Sequence, residues 1–520
     1  MKEGSRSPGS LPHGVWTLVF ELMRTQDLFN ICLVSKTWNA LATKFLYRSI
    51  PIGEQHSHIT HSQIWSNEAS IRSRLLSRLE DDSNDELRAF VQEVAVMPTF
   101  AYTIRSISEL EVEDWLCKLF VRLPNLQLVS IHTSIQRLDE IICTICDHNR
   151  RPELRLFSVN GTMGDSRLAD RTLSCISTLH ATVNPFKEQD GPNRHILHLQ
   201  KLFFKCPNMR SFSLCVHGNY GGCVLNFPSF DTIRTFQLAG YENFPLIEEL
   251  SLDAYAMEDD EWIHWKDRFS WSKLKSLTLG PSDPCNLLDR MAGYATSLRT
   301  LKVLGYAEEG NSDCKSVERF LFSFDSLETL ELNGYLCSVN AVAQHKNISD
   351  LCLHMAEYSE KEIQRRVLTT AELKHLDKHC PKMESLSIDV ERSNNEWPES
   401  IFGSLATSFA NLKALSIHFE LGISDIENPI MPALDESWAK NLSQKFFNKR
   451  HSFDYVKDDN DRTSLGKLHT LTLKTGESQR RFPQWEPEYS RWENQQSATY
   501  ETSLLGDSSV DIRITRAPLY

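Results

Sequence analysis

No stretch of this 520-residue chain approaches the roughly 18 consecutive apolar residues of a membrane-spanning helix, so no membrane partner is expected. The opening residues MKEGSRSPGS lack the apolar run of a secretory signal and read as a disordered lead over 1–10. Positive charge is in deficit: 56 Lys and Arg face 69 Asp and Glu, a formal charge of −13, which argues against nonspecific nucleic-acid binding. The 13 cysteines are odd in number and scattered. Cys143 and Cys146 form one CxxC without a second pair at zinc-like spacing, so reduced thiols and a cytoplasmic or nuclear location are expected. A P-loop, a glycine-rich dinucleotide turn, a zinc-protease helix and a nucleophile elbow are all missing. No catalytic residue, cofactor or metal is therefore expected.

What is present begins at Leu11. The run LPHGVWTLVFELMRTQDLFNICLVSKTWNALA reads as three short helices. Pro12 suits a first helical turn, where its missing N–H costs nothing. Val15, Val19, Leu22 and Met23 recur at helical spacing, and Trp16, Leu18 and Phe20 widen the apolar arc. Asp27 and Ser35 are candidate N-caps for the second and third helices, and the third carries Trp38, Leu41, Ala42 and Phe45. Segments of about 40 residues rarely close a core unaided, so this much apolar surface must meet something else.

This stretch resembles the F-box, the docking element of Skp–cullin–F-box ubiquitin ligases. Leu11-Pro12 matches the opening Leu-Pro of that family, Asp27-Leu28 the central Asp-Leu, and Val34-Ser35-Lys36-Thr37-Trp38 the closing segment. Gly14 and Ser35 depart from the usual Glu and Cys. The resemblance implies an F-box over 11–50 that binds a Skp adaptor through Leu11, Pro12, Val15, Leu28, Val34, Ser35, Lys36 and Trp38.

A second pattern fills the rest: an apolar residue, two variable residues, an apolar residue, one variable residue, an apolar residue. Examples are Leu126-Val129-Ile131, Leu154-Phe157-Val159, Ile247-Leu250-Leu252, Leu274-Leu277-Leu279, Leu327-Leu330-Leu332 and Leu468-Leu471-Leu473. Successive copies at 126, 154, 274, 298 and 327 give steps such as 28, 24 and 29 residues; the steps from 154 to 209 and from 412 to 468 span about two units each. Such periods resemble leucine-rich repeats of the irregular kind seen in fungal F-box proteins. The resemblance implies an α/β fold: a three-helix F-box followed by an irregular leucine-rich-repeat solenoid, with parallel strands on the concave side and helices on the convex side. Residues 138–148 and 315–324 carry helical spacing and suit the returns. Tyr241, Tyr255, Tyr306 and Tyr335 replace the ladder Asn of the family.

The expected organisation is a connector and solenoid cap at 51–100, repeats over 101–475 with insertions at 254–271 and 421–465, and a flexible tail at 476–520. Outward strand positions form a candidate face for a protein target whose identity the sequence does not give: His132, Asp253, Lys302, Glu331, Asn333, His354, Asp389 and His418. The function implied is target recognition for a ubiquitin ligase, with the Skp adaptor and, through it, cullin as partners. The alternative is a scaffold that binds the adaptor without building an active ligase.

Overall fold

The computed structural model describes residues 13–52, 76–97, 109–132, 135, 138–160, 168, 171–183, 194–216, 235–236, 238, 243–255, 257–280, 284–304, 314–334, 337–357, 365–392, 396–425, 427, 430–456, 468–476, 496–504 and 512–516. The chain divides into two compact units, 1–247 and 248–520. Both are mixed α/β.

The first unit opens with three helices, α1 (His13–Glu21), α2 (Thr25–Cys32) and α3 (Lys36–Leu46). Only Tyr47 and Arg48 separate α3 from β1 (Ser49–Ile52). Tyr47 caps α3 and is buried, and its hydroxyl accepts from Arg78 Nη1 at 2.8 Å. Next in order come β2 (Glu93–Val96), β3 (Leu128–Ile131), β4 (Glu153–Asn160), β5 (Ile176–Val183) and β6 (Ser211–Val216), each pairing parallel with its predecessor. Parallel neighbours require a return connection. Helices Asp85–Phe90, Glu109–Val121, Leu138–Cys146 and Arg194–Phe204 lie in those returns.

The second unit repeats the scheme with β7 (Glu249–Asp253), β8 (Ser276–Leu279), β9 (Thr300–Leu304), β10 (Thr329–Asn333), β11 (Asp350–His354), β12 (Ser385–Val390), β13 (Ala414–Phe419) and β14 (Thr470–Thr475), parallel and in chain order. The apolar triplets determine the register. Leu250, Leu277, Leu301, Leu330, Leu351, Leu386, Leu415 and Leu471 stand side by side across eight strands, all buried. Two residues on, Leu252, Leu279, Val303, Leu332, Leu353, Ile388, Ile417 and Leu473 form a second buried row. A one-residue slip would turn both rows outward, so the pairing is strongly specified.

Several segments differ from the sequence expectation. Residues 254–271 contain the helix Asp259–Arg268, the return between β7 and β8. Trp265 and Trp271 are buried there with Phe269, so this segment packs its aromatics inward. Residues 421–465 contain the 21-residue helix Glu436–Val456, which fills the long step between β13 and β14. The step from 154 to 209 holds β5, and the connector at 51–100 holds β2. In β4 the buried residues are Leu154, Leu156 and Val159; Phe157 turns to the other face beside a register shift against β5. Within 476–520, expected as a tail, β15 (Ala498–Leu504) pairs antiparallel with β14, and β16 (Ile512–Arg516) pairs antiparallel with β15. Ser443 of the long helix meets Thr502 of β15 at 3.0 Å in a buried contact. Of the tyrosines, Tyr255 is buried and its hydroxyl donates to Glu261; Tyr241, Tyr306 and Tyr335 lie outside the described residues, as does the lead at 1–10.

Cys206 and Cys380 pack at helix ends as apolar groups. Burial pushes the Cys380 thiol up to about 11. Cys146 of the CxxC faces Cys175, with the sulfurs 2.6 Å apart.

His345 supplies a pH dependence. It is buried in the turn before β11, beside Phe324 at 5.1 Å between ring centroids. Burial lowers its pKa against weaker opposing contributions from the Asp325 backbone and charge and from the Leu321 backbone. The unfolded state then binds a proton more readily than the folded one. This contribution to stability is complete above the unfolded pKa of about 6.5 and is lost as pH falls toward the lower folded value. Urea midpoints between pH 8 and 5 should fall in the wild type, and the fall should be smaller in His345→Phe.

Candidate functional site

The three N-terminal helices close a small core of their own. Phe20, Leu28 and Ala42 are buried at its centre, and Trp16, Met23, Ile31, Trp38, Leu41, Phe45 and Leu46 pack around them. The indole of Trp38 meets Trp16 edge-on at 4.6 Å between centroids, and Phe20 at 5.8 Å. Ser35 caps α3: its backbone is extended, and its Oγ accepts from Trp38 N–H at 3.2 Å. Asp27 has a different role from the N-cap expected of it. Arg24 occupies the cap of α2, and Asp27 lies in the first turn, where its carboxylate favours the helix N-terminus and accepts from Arg24 Nε at 2.9 Å.

The expected adaptor-binding residues therefore divide by position. Leu28 is 5% exposed, so its side chain is occupied within the internal core. Trp38 is half-buried against Trp16 and Phe20. Val15, Val34, Ser35 and Lys36 are exposed. Leu11 and Pro12 lie outside the described residues.

Four further side chains belong with the exposed group. They are Leu18, 62% exposed, Leu22, 88%, Leu33, 71%, and Phe29, also on the surface, and they join Val34, itself 69% exposed. Their signal was in the spacing: 18 and 22, like 29 and 33, are four apart and off the rows that build the core. Large aliphatic side chains are thus bare at several positions of one short helical segment.

Residues 9–52 match the family model described as F-box-like. The chain carries an F-box-like domain. A comparison with curated proteins finds none that matches.

The candidate target face has its own geometry. In the first unit, His132 stacks on Phe157 at 4.4 Å, and Phe157 meets His180 edge-on at 5.1 Å. Partial burial lowers the His132 pKa. The other seven residues lie in the second unit. Asp253 ends β7 and sits so close to Gly280 that a Cβ there would collide with its carboxylate. Lys302 Nζ and Glu331 Oε2 pair across β9 and β10 at 2.8 Å, and Asn333 stands beside His354 in register.

His354, Asp389 and His418 converge across β11, β12 and β13. His354 Nδ1 lies 2.8 Å from Asp389 Oδ1 and 3.1 Å from His418 Nδ1, and the two rings stack at 4.4 Å. Asp389 Oδ2 accepts from Met355 N–H at 2.6 Å. Arg365 Nη1 approaches Asp389 Oδ1 at 3.8 Å. Asp389 and His418 are buried, so an open polar face, expected from their strand positions, is replaced here by an enclosed cluster. Among the described residues, no helix is long and apolar enough to cross a membrane.

Proposed function

We propose that this chain is the target-recognition subunit of a Skp–cullin–F-box ubiquitin ligase. The F-box-like domain docks the Skp adaptor and, through it, cullin. Leucine-rich repeats of an irregular kind, built from the strand–helix units above, hold a protein target on the outward face of the strands. The observation that carries the reading is the set of bare aliphatic side chains, Leu18, Leu22, Leu33 and Val34, on a segment that matches the F-box-like model.

The chain's contribution is positional. A target held beside a ubiquitin-charged conjugating enzyme meets it at a high effective concentration, and the bond-making groups belong to other subunits. The large in-register sheet of the second unit supports such a role, because a packed row of leucines resists deformation and keeps the outward face in one shape.

The test is assembly from purified parts. The full chain should form a stable complex with a Skp adaptor and retain a cullin only when the adaptor is present. Binding of the adaptor without recruitment of cullin would support the scaffold in place of the ligase subunit, and failure to bind the adaptor would overturn both.

A further inference from the structure

The enclosed cluster on β11–β13 brings two imidazole nitrogens and a carboxylate oxygen together. His354 Nδ1, Asp389 Oδ1 and His418 Nδ1 are separated by 2.8, 3.1 and 3.9 Å. A carboxylate oxygen only accepts, so His354 Nδ1 at 2.8 Å donates its proton to Asp389, His418 Nδ1 at 3.1 Å presents a lone pair, and a metal would take the place of that proton. The three separations are also those of ligands around a common centre. A point about 2.1 Å from all three atoms exists, the bond length zinc takes with imidazole nitrogen and carboxylate oxygen.

We propose that His354, Asp389 and His418 form a binding site for one divalent transition metal of the zinc class. The choice of metal follows from the donors. Two neutral imidazoles and one carboxylate suit zinc, cobalt or nickel, whereas calcium and magnesium demand a shell of oxygens. The Arg365 guanidinium lies 3.8 Å from the same carboxylate oxygen, so a metal there competes with it for Asp389. Solvent would supply the remaining coordination.

The supports around the site are already in place. Met355 N–H holds the second oxygen of Asp389, which fixes the carboxylate plane. The three ligands come from adjacent strands, with Asp389 beside His418 in register, so the sheet itself sets their spacing. A bound metal would cross-link β11, β12 and β13 at their C-terminal ends. The site is independent of any target: it stands or falls on metal binding alone, whether or not the chain serves a ligase.

The experiment uses the full chain, stripped with chelator and titrated with Co²⁺ followed by visible absorption, and with Zn²⁺ followed by calorimetry. One equivalent of each should bind, Co²⁺ developing the d–d bands of a low-coordinate nitrogen–oxygen site, and Zn²⁺ should raise the melting temperature. Asp389→Asn keeps the acceptor for Met355 N–H and removes the charged ligand; His418→Asn removes a ring. Each should weaken binding by more than about tenfold. A second histidine pair, His375 and His379, lies one turn apart on the helix Thr370–His379 with ring centroids 4.2 Å apart, and His375→Ala should leave the titrations unchanged. Absence of binding by the wild type, wild-type affinity in both ligand variants, or loss of binding in His375→Ala would each overturn the assignment.

Discussion

The double substitution Leu33→Asp, Val34→Asp is expected to remove adaptor binding while the melting temperature of the chain stays where it was. Both side chains are bare, 71% and 69% exposed, so neither contributes appreciably to the internal core of α1–α3. In a complex they would be covered, and a carboxylate covered without a partner pays a heavy desolvation cost. Loss of even one hot-spot side chain costs about 2 kcal/mol, or roughly 30-fold in affinity, and two buried charges add to that. Leu28→Ala should do the opposite. It empties a buried position beside Phe20 and Ala42 and should cost about 2–5 kcal/mol of stability, weakening adaptor binding only as the domain unfolds. Adaptor titrations by calorimetry, run beside thermal melts, separate the two. Undiminished binding in the double aspartate variant would place the docking surface elsewhere.

Trp265→Ala should be among the most destabilising single substitutions in the second unit. Trp265 is completely buried, with Phe269 at 5.2 Å, Tyr255 at 6.3 Å and Trp271 at 6.3 Å between ring centroids. Its truncation leaves a cavity large enough to cost about 3–5 kcal/mol. It also removes a hydrogen bond, because Trp265 Nε1 donates to Glu261 Oε1 at 3.1 Å and that carboxylate is itself buried. Trp265→Phe keeps most of the volume and loses the donor, which should cost about 1–3 kcal/mol. Urea denaturation followed by circular dichroism should order the midpoints wild type, Phe, Ala. An unchanged midpoint in the alanine variant would mean that the aromatic cluster does not hold this return in place.

The strands were legible where alternation is clean and Leu-rich. β7 to β14 all fall on an apolar triplet, since apolar residues keep a period of two along each strand, although Asp389 and His418 bury part of the other face of β12 and β13. β2 escaped because its triplet, Val91-Val94-Val96, is short and built from valine. β5 escaped because Thr178 sits where the third apolar residue belongs and a register shift against β4 interrupts the alternation. The helix at Asp259–Arg268 was obscured by Glu258, Asp259, Asp260 and Glu261, charges that favour a helix N-terminus but dilute its apolar stripe.

The sites were legible to a lesser degree. The F-box-like segment could be found from its residues, but Leu28 and Leu33 are both leucine five positions apart, and only packing tells the buried one from the bare one. His354, Asp389 and His418 were each placed on a strand, yet their meeting depends on the lengths of two intervening returns. Separations of 35 residues from 354 to 389 and 29 from 389 to 418 become one neighbourly step each once the strands pair in parallel.

The junction between α3 and β1 has a mechanical consequence. Two ordered residues, one of them a tyrosine pinned by an arginine, leave almost no compliance between the helical hook and the first strand. Whatever grips the hook also sets the bearing of that strand, so a torque applied at one is felt at the other. On the ligase reading, an adaptor that took hold of the hook would hold β1 at one angle to itself.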